Sequence, residues 1–274
     1  MRSVARRCNV LKLLVKRFNE HGLIDLGAQC AYFFLLSLFP FLIFVISLLS
    51  FSPFTFNDVY RLLQIAYVPP GVLDVIENQW EVLTNNQNTG ILSLGLLFTL
   101  WTASLALNSI LRALNLAYDV TERRGLVLAR LISIGLTIGM FAVVIIALSL
   151  QVVGSFLKDY IAIDFFIFDA DLFRWLLSTA IIFSVLLILY LVGPNTRLGI
   201  KEVYLGAIFA TMGWQLTSFG FSIYLNRFAD YSATYGTIGT VIALMIWFHL
   251  SSIIILIGGE INAILKEEHD RIFR

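Results

Sequence analysis

The chain reads as an all-α, polytopic membrane protein. It is a single domain over residues 1–274, with six transmembrane helices and both termini in the cytoplasm. Short interfacial helices are expected at the N-terminus and in the first outer loop. Three observations lead there. Apolar residues make up 59% of the chain and charged residues only 14%, with a mean hydropathy of +0.86; soluble domains run near ~45–50% and ~25%. Six runs reach the ~20 helical residues that a hydrocarbon core requires. Of the 19 Lys and Arg, all but Arg61, Lys158, Arg174 and Arg227 then fall on one side, which the positive-inside rule makes the cytoplasm. The composition excludes a disordered chain, and two cysteines exclude a disulfide scaffold.

In chain order, Val4, Cys8, Leu11, Val15 and Phe18 recur at helical spacing among basic residues. This fits an interfacial helix on an anionic leaflet, or a plain basic flank. The first span covers about 26–51 and is too long for the core of a cleaved leader. Pro40 inside it is expected to act as a hinge. The outer loop 52–89 holds two short amphipathic helices, parted by Pro69-Pro70-Gly71. The remaining spans fall at about 91–116, 131–153, 175–192, 203–224 and 238–264. Lys158 to Asp171 forms a second outer segment, and Gly236 and Gly239 are expected to loosen the start of the last span. Runs this long, without a ten-residue alternation, exclude barrel strands.

Polar groups are costly in hydrocarbon, so their placement carries the most information. The third and fourth spans hold almost none and read as lipid-facing walls. On the first, Asp25, Gln29 and Tyr32 share a helical face; on the second, Trp101, Asn108, Arg112 and Asn115 do. Gln215 lies on the fifth span, and His249, Glu260 and Asn262 on the sixth. Most of these fall in the cytoplasmic third, which predicts a polar cleft opening inward, where lipids or other amphipathic molecules bind. Arg112 either pairs with Glu260 there or extends to the headgroups. His249 is either a structural hydrogen bonder or a proton relay. Gly135 and Gly139 form one small-residue face, and Gly206, Gly213 and Gly220 another. Each serves packing within the chain or a homo-oligomer.

Catalytic patterns are absent from the sequence. It has no GxxxxGK[ST], HExxH, CxxC or GxSxG, and His21, His249 and His269 are too dispersed for a metal site. No cofactor, metal or nucleic-acid partner is expected, and the chain is not read as an enzyme.

Four segments nevertheless form a pattern: AQCAYFFLLSLFPFLIF at 28–44, WTASLALNSILRALNLAYDVTERRG at 101–125, GPNTRLG at 193–199, and YGTIGTVIALMIWFHLSSIIILIGGEIN at 235–262. Together they resemble the BrkB-like, or YihY-like, inner-membrane proteins. The resemblance implies a bacterial inner-membrane location. It also implies an envelope-related role, for which lipid transport has been suggested, and an old ribonuclease label that the residues do not support. Three readings follow. In order they are a carrier or flippase for an amphipathic or anionic envelope molecule, a non-transporting assembly or regulatory scaffold, and last a ribonuclease.

Overall fold

The structure is a computed structural model that describes residues 2–50, 89–121, 125, 127–140, 142, 170–227 and 229–273. These residues form seven α-helices and, among the described residues, no strand: α1 Arg2–Glu20, α2 Leu23–Ser50, α3 Thr89–Ala117, α4 Val127–Met140, α5 Ala170–Val192, α6 Ile200–Arg227 and α7 Ala229–Phe273. The two helices expected in the outer loop, the rest of the third span and the segment 158–169 lie outside the described residues.

Local chemistry sets the helix ends. Between α1 and α2, Gly22 adopts φ +61°, a left-handed conformation that a side chain disfavours. The His21 amide still bonds the Arg17 carbonyl at 2.9 Å, and the two helices meet at a 60° bend. Helix α3 stops where Asp119 turns left-handed at φ +51°. Helix α5 ends at Gly193-Pro194, since proline cannot continue the ladder. At the start of α6, Glu202 Oε2 accepts the Gly199 amide at 2.6 Å and so caps the helix.

Two hinge expectations meet continuous helix. Helix α2 runs through Pro40 to Ser50, and α7 runs unbroken through Gly236 and Gly239. Glycine lowers helix propensity by only ~1 kcal/mol, which the long flanking apolar runs outweigh.

By length and composition, Ser93–Ala117 and Val241–Arg271 can each cross a membrane. The bent pair Val10–Glu20 and Leu23–Leu38 makes a third if taken as one span. Val127–Met140 and Ser178–Val192 are shorter apolar helices. The 45 residues of α7 extend ~67 Å, more than twice a ~30 Å hydrocarbon core. The exposed face of α6 carries Leu205, Phe209, Met212, Leu216 and Phe219, a surface that suits lipid rather than water.

Helix α2 packs on α3 and α7, and α7 also packs on α6, α3 and α1. Leu107, Ile110 and Leu114 of α3 meet Tyr190 of α5, Val203 and Ala207 of α6 and Leu256 of α7 in one core. The fourth span is therefore no simple wall, because Tyr190 is fully buried and donates to the Ile255 carbonyl at 2.6 Å. Several buried threonine hydroxyls are satisfied within their own helices. Thr99 bonds the Gly95 carbonyl at 2.6 Å, and Thr211 bonds that of Ala207 at 2.7 Å.

Close approach depends on glycine. A Cβ at Gly206 would collide with the Gly258 carbonyl and Asn262, one at Gly258 with the Tyr190 hydroxyl, and one at Gly259 with Leu114. At Gly213 it would meet Ile254 Cγ2 at 2.8 Å. Gly206 and Gly213 thus pack within this chain, the first of the two readings of their face. Gly220, Gly135 and Gly139 have nothing within 4 Å of a Cβ. Gly206→Leu or Gly259→Leu should therefore lower the thermal midpoint in detergent by the equivalent of ~1–3 kcal/mol or abolish folding. Gly139→Leu should leave that midpoint unchanged.

Candidate functional site: a buried carboxylate between the first and last helices

Hydrogen bonds gather several chain segments at the end of the bundle flanked by α1. Asn115 Oδ1, at the end of α3, accepts the Asn195 amide at 2.7 Å. Asn195 Nδ2 donates to the Thr121 carbonyl at 3.1 Å, so the α5–α6 connection is tied to the turn after α3. Lys266 of α7 lies 3.4 Å from Glu202 of α6 and donates to the Arg197 carbonyl at 3.2 Å. Asn262 Oδ1 accepts the Gly206 amide at 2.7 Å. The start of α2, the ends of α3 and α5, the start of α6 and the C-terminal part of α7 therefore meet at one end.

Glu260 sits at the centre of this knot and is 1% exposed. Its Oε1 shares a 2.5 Å hydrogen bond with His21 Nδ1 from the α1–α2 turn. Its Oε2 lies 3.7 Å from Arg17 Nη1 and has no hydrogen-bond partner. Both arms of Arg17 are committed elsewhere. Nη1 donates to the Ala117 carbonyl at 3.0 Å, and Nη2 to Glu267 Oε2 at 2.6 Å. Glu267 also pairs with Arg271 one turn on. Arg17 thus joins α1, the end of α3 and α7 with one planar fork. Tyr118, just past α3, buries a hydroxyl that has no hydrogen-bond partner. Burial pushes its ionisation well above the ordinary tyrosine range, and the charges of Glu202 and Glu260 push it further.

The expected site residues divide into two groups. Asn115, Glu260 and Asn262 are buried in the knot. Asp25, Gln29 and Tyr32 lie exposed on one face of α2, with half-buried Asn108 and exposed Arg112 on α3. The expected Arg112–Glu260 pair does not form, because His21 and Arg17 already occupy the carboxylate. Among the described residues Arg112 reaches only Ser109 Oγ, at 3.4 Å. Trp101 is exposed and lies beneath Arg130, whose guanidinium stands 4.4 Å from the ring centre. Trp101 precedes the end of α3 by ~24 Å of helix, so Arg130 lies beside the middle of α3 rather than at its end. Gln215 donates to Thr179 on α5 at 2.7 Å, a structural link. His249 packs against Gly27 of α2, and its buried Nε2 has no partner.

Sequence patterning did not single out these partners: Arg17 belonged to the basic flank, His21 counted only among three dispersed histidines, and Glu267 carried no signal. The usable signal was the Arg17–His21 spacing of one helical turn directly before a glycine.

A family model described as Virulence factor BrkB matches residues 14–273. The chain is 44% identical to the ribonuclease-like protein YfkH of Bacillus subtilis, over 94% of this chain and 95% of that one. It is 28% identical to a UPF0761 membrane protein of Alteromonas mediterranea, covering 93% and 87% of the two chains. With one from Aliivibrio salmonicida the identity is 30%, over 93% and 83%. No solved structure matches.

If the buried carboxylate depends on its cations, Arg17→Met should cost ~3 kcal/mol, near the low end for breaking a buried pair because His21 stays. Adding Glu260→Gln should recover part of that loss. A double-mutant cycle of thermal midpoints checks this, and strictly additive losses would exclude the coupling.

Proposed function

The chain belongs to the BrkB family of membrane proteins, and on that premise we propose that it is a carrier for a lipid or another amphipathic, anionic molecule of the bacterial envelope. In this reading it crosses the inner membrane six times with both termini in the cytoplasm. The meeting of α1 with the C-terminal part of α7 supports placing both termini on one side. The asymmetry of Lys and Arg supports calling that side the cytoplasm.

One observation carries the carrier reading. Arg112 lies within an apolar span, ~8 Å before its end, exposed and paired with no carboxylate among the described residues. Asp25, Gln29, Tyr32 and Asn108 extend the polar strip on the tightly packed α2–α3 pair. A lone arginine at depth costs ~3 kcal/mol, and an anionic headgroup offsets that cost through bidentate hydrogen bonds. Asn108, one turn before Arg112 on the same helix, supplies an uncharged hydrogen-bonding group for the same headgroup. A scaffold role has its own supporting feature in Gly135 and Gly139, a bare small-residue face on α4 suited to a second helix. A nuclease reading has no such support, and the ribonuclease-like name belongs to the Bacillus relative.

Native mass spectrometry of the protein released from mild detergent tests the carrier reading. Wild type should retain one lipid class or envelope intermediate far above its share of the membrane, and Arg112→Ala should lose it while melting normally. Equal retention of bulk lipid by both proteins would shift the assignment to the scaffold.

A further inference from the structure

A purely structural buried ion pair is best built from arginine, whose charge does not titrate and whose fork can fill both carboxylate oxygens. Glu260 is held differently. Arg17 spends its hydrogen bonds on Glu267 and the Ala117 carbonyl and leaves Glu260 Oε2 only a 3.7 Å charge contact. The one strong bond is the 2.5 Å link from Oε1 to an imidazole, which does titrate. The His21 side chain is 19% exposed, against 1% for that of Glu260. The deep carboxylate thus meets the surface through a group able to pass a proton.

Helix α7 extends the same face inward. Ser252 and His249 precede Glu260 by ~12 and ~16 Å along the axis, and each buries a polar atom without a partner. Leu256, 2% exposed, stands between Ser252 and Glu260. The polar line is therefore interrupted by apolar side chains, Ile253 and Leu256, inside the carboxylate.

We propose that Glu260 is a proton-binding site, loaded through His21 from the end of the bundle that carries α1. The proton on His21 Nδ1 moves along the short bond to Glu260 Oε1. This leaves a neutral imidazole and a carboxylic acid, and water at the exposed edge of the ring supplies the next proton. Release reverses the path. The other groups around the site are Arg17 from α1, Tyr118 after α3, Tyr190 on α5 against Gly259, Glu202 on α6, and Lys266 and Glu267 further along α7. Arg17 keeps its bonds to Glu267 and Ala117 in both states, so α1 stays docked while the charge at the centre changes. The inference gives the carrier reading a coupling ion and rests on it for that purpose, but the proton site can be tested without any carried molecule.

The test is time-resolved infrared difference spectroscopy on the full chain in nanodiscs after a jump to acid pH. Wild type should show a protonated-carboxyl band that Glu260→Gln removes. His21→Gln, which keeps a donor to the carboxylate but cannot relay a proton, should slow the appearance of that band ~100-fold. If Glu260→Gln does not fold, Glu260→Asp should displace the band. A band unchanged by either substitution at 260, or wild-type loading kinetics in His21→Gln, would overturn the proposal. Either result leaves the test on Arg112 untouched.

Discussion

A carboxylate taken out of water must find compensating charge and hydrogen bonds, or it costs several kcal/mol. Glu260 imposes that constraint near the end of the last span, and the neighbouring architecture meets it. The α1–α2 turn places His21 on one oxygen, and α1 lies where Arg17 can face the other. Glu267 fixes the guanidinium in turn, and the last carbonyl of α3 takes its remaining arm. Among the described residues of α1, Phe18 is the side chain that packs against the apolar core. The docking of α1 therefore depends heavily on this exchange of charge.

Glycine lets the same region pack. Gly206, Gly258 and Gly259 bring α6 and α7 to backbone contact and let Tyr190 and Leu114 reach α7. In lipid no hydrophobic force drives helices together, so close backbone contact and internal hydrogen bonds must supply the association. The buried Tyr190 hydroxyl and the Asn262 side chain supply such bonds at the glycine contacts. Steric closeness and hydrogen bonds between helices thus come from the same few residues, within two turns of Glu260.

Elements that obey a one-dimensional rule were legible in the sequence. Apolar length located α2, α3, α5, α6 and α7. Glu260 and Asn262 stood out as polar groups at depth, and the structure buries both. The partner of Glu260 was not legible. Arg112 and Arg17 carry the same charge, and choosing between them requires knowing how α1 folds back at Gly22. Helical periodicity places a residue on a face but does not say which helix covers that face. For this reason Asp25, Gln29 and Tyr32, which helical spacing groups on one side of α2, turn out to be exposed.

Helix α2 connects the two polar regions. Its leading turn carries His21 to the buried carboxylate, and its exposed face carries Gln29 and Tyr32. Its third face brings Gly27 against α7, where a Cβ would lie 2.8 Å from Ile253 and 3.2 Å from the His249 ring. That last contact leaves α2 no room to move toward α7, so relative motion must be a slide or a tilt. Either motion changes the short His21–Glu260 bond, because its two ends belong to different elements. The same motion displaces the polar strip, because Gln29 lies only two turns beyond His21. The proposed proton site and the exposed face that carries Gln29 and Tyr32 are therefore joined by a single helix.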